Sequence, residues 1–488
     1  MKHRGTETQR KKRIIFPLFS LRLCVSVFLV FFHHNSLPSF RPFLFFLSFV
    51  YCVSHFNSLG TKMIDIKLIR ENPEAVEEKI KRKEPDSDLD SLLEKDHRIR
   101  ALKTKGEELK SKRNKTSKQI GEMKRKGEDV AAIMEEVSGI SAEIHAIDHE
   151  LGPLEEKFTY ELSKLPNLPM DDIKISQNPK DNVVLKEYSE KRVFDFPLKN
   201  HLELNEKLHL FDFARGAKLA GTGWPVYRNW GARLEWALIN YMLSVNIKNG
   251  FQQWMPPALV RPEAMFGSGQ LPKFDNQQFK IEDKEYQLYL IPTAEVSLNG
   301  LHAEEIIPEE ELPLKYVAYT PCFRREAGAA GSNERGLIRT HQFNKVEMFC
   351  FTKPEDSPRI FEEMIANAEE ILQGLGIHYR TVLLVTGDMS FAGARTVDIE
   401  VWLPGQDRYY EVSSVSNCTD YQARRSQTRY RKPGEKPELL HTLNGSGVAT
   451  SRLMVGLLEN NQNADGSVNI PEVLQPYLDG KTKLEPTE

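Results

Sequence analysis

Cysteine is scarce in this sequence, and no two cysteines lie close together. The five residues are spread over 488 positions, at Cys24, Cys52, Cys322, Cys350 and Cys418. Zinc knuckles and disulfide frameworks need cysteines at short, regular spacings, so neither is predicted. We interpret the five as reduced thiols in a reducing compartment. The remaining composition, 40% apolar and 28% charged, is typical of a soluble globular protein with two or three domains.

The sequence also lacks the common glycine-rich nucleotide signatures. Neither a GxxxxGK[ST] loop nor a GxGxxG fingerprint occurs, so any nucleotide is bound without a P-loop or a Rossmann crossover. Alternating residues at 398–402 and 409–412 predict half-buried strands. Apolar positions between Ile360 and Leu372 predict an amphipathic helix that ends at Gly374. We therefore expect a mainly antiparallel sheet flanked by helices.

Acidic residues are nearly absent from residues 1–62, where nine Lys and Arg accompany a single Glu. Without this segment the chain has 57 basic and 68 acidic residues, so nucleic acid would have to bind at local basic surfaces. The basic cluster Arg10-Lys11-Lys12-Arg13 precedes two apolar runs, near 14–32 and 43–53, in a pattern that resembles an export signal. However, Pro17 and Arg22 interrupt the first run, and the second is too short to cross a bilayer.

Three explanations of residues 1–62 stay open. We favour a spurious extension, with the true start at Met63, over an organellar transit peptide and over a membrane or export segment. A well-ordered soluble pattern begins at Met63 and does not depend on the residues before it. The protein is accordingly expected in the cytoplasm, without stable membrane association.

Proline is almost absent from residues 89–165 and glycine is rare there, and strong helix formers dominate. In the second half, apolar residues step alternately by four and three, which is the seam of a coiled coil. That seam is formed by Ile133, Val137, Ile140, Ile144, Ile147, Leu151, Leu154 and Phe158. A looser seam precedes it, formed by Ile99, Leu102, Leu109, Thr116, Ile120 and Met123. Because Lys126-Gly127-Glu128 can form a turn, we predict an antiparallel two-helix arm.

The two predicted helices differ in charge. Residues 103–126 hold ten basic and three acidic residues, whereas residues 128–161 are acidic apart from Lys157. The two sets could pair with each other across the hairpin, as in many coiled coils. Alternatively, the basic surface could bind an RNA backbone by its shape.

Four polar clusters in the second half of the chain are candidates for chemistry. The first, Thr293-Ala294-Glu295, follows an apolar strand at 288–291, where a carboxylate can meet a substrate ammonium; alone, it could also cap a helix. The second comprises Arg324-Arg325-Glu326 and the segment RTHQFNKVE at 339–347, which bracket a glycine-rich loop. Paired arginines can clamp phosphates, and Phe343 can stack on a purine. The alternative is that these residues form surface salt bridges, but salt bridges require neither the loop nor the aromatic ring.

The third and fourth clusters lie nearer the C-terminus. In residues 411–414 the period of two along a strand predicts that Glu411 and Ser413 share one face, suited to Mg²⁺ or phosphate. Residues 443–447, Leu-Asn-Gly-Ser-Gly, allow close backbone approach, and Arg452 on the following helix can reach a terminal phosphate. A plain turn would also explain the glycines. Together, the four clusters are hard to explain as separate surface features.

The order of these motifs resembles that of the class II aminoacyl-tRNA synthetases: TAE, FRxEAG, RxHQFxKVE, EVSS, and LNGSG followed by Arg452. Their combination is similar to the bacterial-type seryl-tRNA synthetases, and the resemblance extends from Met63 to the C-terminus. It implies an α+β protein with a tRNA-binding helical arm at 63–170, a linker region at 171–200 and a class II catalytic domain at 201–488. Residues 1–62 are not part of the family pattern.

The resemblance also implies a reaction. ATP and Mg²⁺ would serve to convert L-serine into its adenylate, and the seryl group would pass to serine tRNA, and to selenocysteine tRNA where that tRNA exists. A homodimer is implied, with its dimer-forming motif at 230–257. The implied serine-binding residues are Thr293, Ala294, Glu295, Glu347 and Ser446. The implied ATP-binding residues are Arg324, Arg325, Glu326, Arg339, Phe343, Lys345, Glu411, Val412, Ser413, Ser414 and Arg452.

Individual roles follow from the same resemblance. Arg324 and Arg452 would be catalytic, with Arg324 at the α-phosphate and Arg452 together with Arg339 at the terminal phosphates. Phe343 would stack on adenine and Glu326 would contact its edge. The implied Mg²⁺ ligands are Glu411 and Ser414. Thr293 and Glu295 would bind the serine ammonium, and Glu347 and Ser446 its hydroxyl.

Two other functions stay open. A synthetase-like amino acid:carrier-protein ligase would keep the adenylating site, but the long basic arm argues against it. A membrane-anchored coiled-coil scaffold would use residues 1–62 and the hairpin. It leaves one set of charged residues unexplained: Arg324, Glu326, Glu347, Glu411 and Arg452.

Overall fold

The computed structural model describes residues 63–326 and 335–487, all within one unit, Leu59–Glu488. The predictions for residues 1–62 and for the loop at 327–334, which includes Gly328, lie outside the described residues. Within the described ranges, no helix is both long enough and apolar enough to cross a membrane.

The N-terminal part consists of helices: α1 (Ile66–Glu71), α2 (Pro73–Lys83), α3 (Asp90–Lys126) and α4 (Ala131–Ser163). Helix α3 ends at Gly127, whose φ of 75° is a left-handed conformation that glycine adopts without steric cost. Ile99 and Leu102 of α3 and Ile140, Ile144 and Ile147 of α4 are buried along the predicted seam. The predicted antiparallel arm is therefore confirmed.

One buried cation attaches the base of the arm to the rest of the chain. The Lys83 ammonium, at the end of α2, donates hydrogen bonds to the backbone carbonyls of Ser390 (2.7 Å), Gly393 (2.8 Å) and Phe391 (3.1 Å). Three carbonyl acceptors satisfy all three N–H groups of a lysine, which is what allows the charge to be buried. The arm is thus fixed to a loop of the body that the rest of the chain forms.

An eight-stranded sheet forms the centre of that body, in the strand order β1-β11-β12-β13-β16-β10-β9-β4. All neighbours in it are antiparallel except β4 and β9, as the sequence predicted. These strands are β1 (Val183–Tyr188), β4 (Gln252–Trp254), β9 (Leu314–Phe323), β10 (Gln342–Thr352), β11 (Tyr379–Leu383), β12 (Arg395–Leu403), β13 (Arg408–Asn417) and β16 (His441–Ala449).

The other elements surround this sheet. The remaining helices are α5 (His201–Leu208), α6 (Phe213–Ala220), α7 (Trp230–Lys248), α8 (Pro262–Gly267), α9 (Ala294–Gly300), α10 (Ser357–Gly374), α11 (Tyr421–Ser426) and α12 (Thr450–Asn460), and α10 ends at the predicted Gly374. The shorter strands are β2 (Phe211–Asp212), β3 (Val226–Tyr227), β5 (Leu259–Val260), β6 (Lys280–Glu282), β7 (Gln287–Leu290), β8 (Ile306–Pro308), β14 (Arg429–Arg431), β15 (Glu438–Leu439), β17 (Val468–Asn469) and β18 (Lys483–Leu484).

The two faces of the sheet bury different clusters. Val317 and Met348 pack in a large cluster with apolar residues of α7, α10 and α12. Their neighbours in sequence, Ala318 and Phe349, pack in a separate cluster with Ala294 of α9. This is the alternation expected of strands buried on both faces. Odd-numbered residues of β10 therefore point toward α9, where the first candidate motif lies.

The predicted linker region at 171–200 needs a correction. It contains β1, which pairs with β11 at the edge of the central sheet. The segment Val183–Tyr188 has no alternation of apolar and polar residues that would predict a strand. In the structure its first three residues, Val183, Val184 and Leu185, are all exposed. An edge strand with one partner depends on backbone hydrogen bonds more than on a buried face.

Candidate active site

Thr293 lies at the centre of a buried polar cluster at the start of α9. Its hydroxyl donates to Glu347 Oε2 (3.1 Å) and accepts from Lys345 Nζ (2.9 Å) and from the backbone N–H of Glu295 (3.2 Å). Lys345 and Glu347 also pair directly. Because all three side chains are buried, each charge needs the partner that this arrangement provides. The structure thus places Lys345, implied to bind ATP, with the residues implied to bind serine.

Glu295 lies beside this cluster, and its carboxylate is held by two amides. Gln422 Nε2 (2.6 Å) and Asn444 Nδ2 (3.2 Å) both donate to Oε1 of Glu295. Burial, and next the negative charge of Glu347, raise the pKa of Glu295 to about 7, against the opposing effects of Lys345 and Gln422. The site therefore holds two carboxylates against one buried ammonium, which suits a cationic ligand group.

Ser446 of β16 is the cross-strand partner of Glu347 on β10. Side chains of directly opposed residues project from the same face within about 5.5 Å of each other. The structure therefore brings Thr293, Glu295, Glu347 and Ser446 together, as the sequence predicted. The fifth residue of that set, Ala294, is fully buried at the start of α9 and has no polar side-chain group.

Arg324 and Phe343 form the next part of the site. Arg324 follows β9, and its guanidinium lies 5.2 Å from the centroid of the Phe343 ring. A backbone hydrogen bond of 2.9 Å from Arg324 to the His341 carbonyl fixes the chain at this point. Among the described residues, the Arg324 guanidinium has no hydrogen-bond acceptor of its own. Its donors are therefore available for an anion beside an aromatic face.

The other implied phosphate-binding arginines are paired with carboxylates. Arg339 Nε donates to Glu326 Oε2 at 2.6 Å. Arg452 Nη1 donates to the Glu411 carbonyl at 2.9 Å and to its carboxylate at 3.3 Å. Both pairs are partly exposed, so a multiply charged anion can compete for the arginines. Arg325 lies apart from them, because its guanidinium donates to the Asn276 carbonyl.

The prediction that Glu411 and Ser413 share one face is wrong. The register of β12 and β13 shifts between Ile399 and Glu400, so Val412 forms a β-bulge. The extra residue reverses the alternation. Ser413 is buried and donates to the Ser446 carbonyl, and the side chain of Val412 is also buried. Glu411 and Ser414 share a face instead, which agrees with the pair implied as metal ligands.

Asp398, on β12 opposite Ser414, is a site residue that the sequence did not identify. Ser414 donates a hydrogen bond to its carboxylate, whereas Oδ1 is buried and finds no hydrogen-bond partner among the residues that the structure describes. Burial and then the charge of Glu411 raise the pKa of Asp398 well above its usual range. A sequence pattern could not have revealed it, since Asp398 reads as an ordinary polar position of a half-buried strand. The same is true of Gln422, whose partner Glu295 is distant in sequence.

The arm provides a second candidate surface. Six cations of α3 pair with acidic residues of α4: Lys95–Glu161, Arg98–Glu150, Lys103–Glu155, Lys105–Glu143, Lys110–Asp148 and Lys112–Glu136. Beyond Lys112, the described chain has no carboxylate within 4 Å of the remaining cations of α3, which are Arg113, Lys115, Lys118, Lys124, Arg125 and Lys126. Pairing across the hairpin thus accounts for the basic residues nearer the body, and the distal ones form an unpaired basic tip.

Comparison with known proteins identifies relatives over most of the chain. The model of the tRNA synthetase class II core domain (G, H, P, S and T) matches residues 279–461, and that of the seryl-tRNA synthetase N-terminal domain matches residues 63–169. The serine–tRNA ligase of Chlamydia abortus is 52% identical over 424 residues, which cover 87% of this chain and 100% of the relative. That of Chlamydia pneumoniae is 51% identical over 426 residues, with the same shares.

Two solved structures are similar over the same part of the chain. Seryl-tRNA synthetase from Pyrococcus horikoshii, complexed with ATP, has a TM-score of 0.81 and 39% identity over 87% of this chain and 100% of that one. Cytoplasmic serine–tRNA ligase from Naegleria fowleri, in complex with AMP, has a TM-score of 0.75 and 32% identity over 87% of this chain and 99% of that one.

Proposed function

The chain belongs to the seryl-tRNA synthetase family of class II aminoacyl-tRNA synthetases, and from this premise we propose that it joins L-serine to serine tRNA through a seryl-adenylate. In the first step a serine carboxylate oxygen bonds to the α-phosphorus of ATP while the bond to the bridging oxygen breaks and diphosphate leaves. In the second, a hydroxyl at the 3′ end of the tRNA attacks the carbonyl carbon and AMP leaves. The observation that carries this proposal is the polar cluster around Thr293, Glu295 and Glu347 beside Arg324.

Selection of serine follows from the polarity of this cluster. The ammonium group would bind Glu295 beside Thr293, where two carboxylates lie beside a single buried cation, Lys345. The serine hydroxyl would bind Glu347 and Ser446. Alanine and glycine would leave these buried groups unpaired, a stronger rejection than an apolar pocket can give. Threonine would be excluded by lack of room.

ATP would bind with its α-phosphate at Arg324 and its adenine on Phe343, with Glu326 at the edge of the base. Arg339 and Arg452 would exchange their partners, Glu326 and Glu411, for terminal phosphates. No covalent protein nucleophile is needed, because positioning and charge neutralisation supply most of the rate. Arg324 is important in this account because its donors are available before ATP binds.

The residues around Glu411 fit Mg²⁺. Ser414 and Glu411 share a face, and Asp398 adds a buried carboxylate oxygen that has no hydrogen-bond partner. Oxygen donors of this kind are the ligands that Mg²⁺ prefers, together with substrate phosphates. The ion would neutralise charge on the phosphates as diphosphate leaves.

The unpaired tip of the arm would bind the backbone of the tRNA, and residues 230–257 would form a homodimer interface. In support of the dimer, this region exposes large apolar side chains: Trp236, Ile247, Trp254 and Met255. The same arm would accept selenocysteine tRNA in a host that has one, which a charging assay with that tRNA would test.

The experiment that tests the proposal is amino-acid-dependent ATP–diphosphate exchange on the protein starting at Met63. We expect exchange with serine and none with threonine, alanine, glycine or cysteine, followed by charging of serine tRNA. Arg324→Ala should reduce exchange by about 100-fold or more, because a preorganised donor acts mainly in the transition state. Arg359→Ala is the matched control, since that arginine lies on the exposed side of α10 and pairs with Asp356 and Glu363. Exchange without charging would indicate the carrier-protein ligase instead.

A further inference from the structure

Glu235 is a buried carboxyl group on the face of the sheet opposite the serine cluster. It lies on α7, and only 4% of the residue is exposed. Its Oε1 accepts a hydrogen bond from Asn344 Nδ2 (2.8 Å) of β10 and is in contact with the hydroxyl of Thr450, the first residue of α12. Its Oε2 is buried and has no hydrogen-bond partner within residues 63–326 and 335–487. Three elements that are distant in sequence therefore meet at one oxygen atom.

When Glu235 is ionised, there are fewer hydrogen atoms around Thr450 than there are acceptors to receive them. The Thr450 hydroxyl carries one hydrogen, yet its oxygen lies within hydrogen-bond distance of two acceptors, Glu235 Oε1 and the Asn344 carbonyl oxygen (2.9 Å). An ionised carboxylate is only an acceptor. With Glu235 ionised, the two acceptors must share the single Thr450 hydrogen. Each contact has a hydrogen of its own when Glu235 carries a proton and donates it to Thr450, whose own hydrogen then reaches the Asn344 carbonyl.

The partners of Glu235 are neighbours of the implied ATP-binding residues. Asn344 lies between Phe343 and Lys345 on β10, and Thr450 precedes Arg452 by two residues. The chain just before Thr450 is strained, because the β-branched Val448 has a φ of 104°. A non-glycine residue keeps such a conformation only where its surroundings determine it. The hydrogen bonds of Thr450 anchor the chain on the C-terminal side of that strain.

We propose that Glu235 is a positioning residue that works in its protonated form, holding Asn344 and Thr450 so that Phe343 and Arg452 are set for ATP. The proposal rests on the proposed adenylate chemistry. It also connects that chemistry to the outer side of α7, since the next residue, Trp236, is 54% exposed and packs on Tyr319 with centroids 5.4 Å apart. A change at that surface would reach the ATP site through Glu235.

The surroundings of Glu235 support the neutral form. Burial raises the pKa of Glu235 to about 7, although its contacts with Thr450 and Asn344 act to lower that pKa. The titratable groups that face it are Tyr227 of β3 and Tyr319 of β9, and both have raised pKa values because of burial and the proximity of Glu235. In the described part of the chain, therefore, no cation favours ionisation of Glu235. As pH rises through the pKa of Glu235, the proton and one hydrogen bond are lost.

The test compares Glu235→Gln and Glu235→Ala with the wild type in serine-dependent exchange between pH 6 and pH 9. Glutamine is neutral at every pH and similar in shape. We expect the wild type to lose kcat above pH 7, and we expect the glutamine variant to keep kcat within about threefold without that fall. Alanine should lower kcat about tenfold or more with little change in the KM for serine, because the serine cluster lies on the other face. Thr450→Val should resemble Glu235→Ala.

Two controls separate this proposal from others. Glu369→Gln changes a buried glutamate that accepts from Tyr379 elsewhere in the body, and it should leave the pH profile unchanged. Infrared difference spectra of wild type against Glu235→Gln should show the C=O band of a protonated carboxylic acid at pH 6, whether or not exchange is observed. Equal losses in the glutamine and alanine variants, or absence of that band, would show that Glu235 works ionised and would overturn the proposal. If the wild-type protein shows the C=O band but no serine-dependent exchange, the proposed adenylate step is refuted and the protonated state of Glu235 is not.

Discussion

Glu295 and Glu347 lie beside one buried ammonium, that of Lys345, and this imbalance makes the site depend on pH. The pKa of Glu295 is about 7 because burial and the charge of Glu347 disfavour its ionised form. In the proposed site, the serine ammonium binds the ionised form of Glu295. Binding of serine should therefore be coupled to loss of a proton from Glu295.

The first prediction concerns that coupling. The KM for serine in exchange should rise by about tenfold per pH unit below pH 7, because the ionised fraction of Glu295 falls at that rate. The KM for ATP should change much less over the same range. Glu295→Gln should bind serine poorly at every pH. A KM for serine that is flat from pH 5.5 to pH 8 would show that Glu295 does not bind the ammonium.

At the residue scale, short motifs indicate which side chains belong to one site, whereas an irregular backbone changes which side chains share a face. The family resemblance groups Thr293, Glu347 and Ser446, and their role in binding serine stays a prediction. In the structure Glu347 lies opposite Ser446 across β10 and β16, and Thr293 donates to Glu347. Glu411 and Ser413 were assigned to one face because a regular strand was assumed, and the bulge at Val412 reverses that assignment. Asp398 and Gln422 were missed because only tertiary packing places them near Ser414 and Glu295.

At the scale of elements, the arm was the most predictable part of the fold. A heptad seam and the turn at Gly127 define an antiparallel hairpin from local chemistry alone. The sequence could not decide between pairing and RNA binding for its basic residues, because that depends on the alignment of the two helices. The structure shows pairing as far as Lys112 and unpaired cations beyond it.

The second prediction tests that division. Reversing the charge of two distal cations, Lys118→Glu with Arg125→Glu, should raise the KM for serine tRNA about tenfold. The KM should also depend less on salt, because a complex with fewer phosphate contacts releases fewer counterions when it forms. Serine-dependent exchange should not change. The matched control, Lys103→Gln with Lys110→Gln, removes two cations that pair with Glu155 and Asp148 and should have a smaller effect. Equal effects of both pairs would mean that the tip is not a specific surface.

At the scale of the whole molecule, the chain divides its work between a catalytic body and an attached arm. The body contains the residues around Glu295, Arg324 and Arg452, and the arm contains the unpaired cations. Lys83 joins the two parts through three backbone carbonyls of the body. The sequence predicted these two parts through family resemblance. It did not predict how they attach, since Lys83 reads as the last cation of a surface helix.

The most direct test of this division is to shorten the arm and to measure both steps of the reaction. Residues 106–147 would be replaced by the chain's own turn, residues 126–129, which removes the unpaired tip and keeps Lys83 and the base of the hairpin. The account predicts serine-dependent exchange within about twofold of the wild type, and charging of serine tRNA reduced by about 100-fold or more through loss of the phosphate contacts. Retention of normal charging, or loss of exchange from a variant that melts as the wild type does, would contradict it.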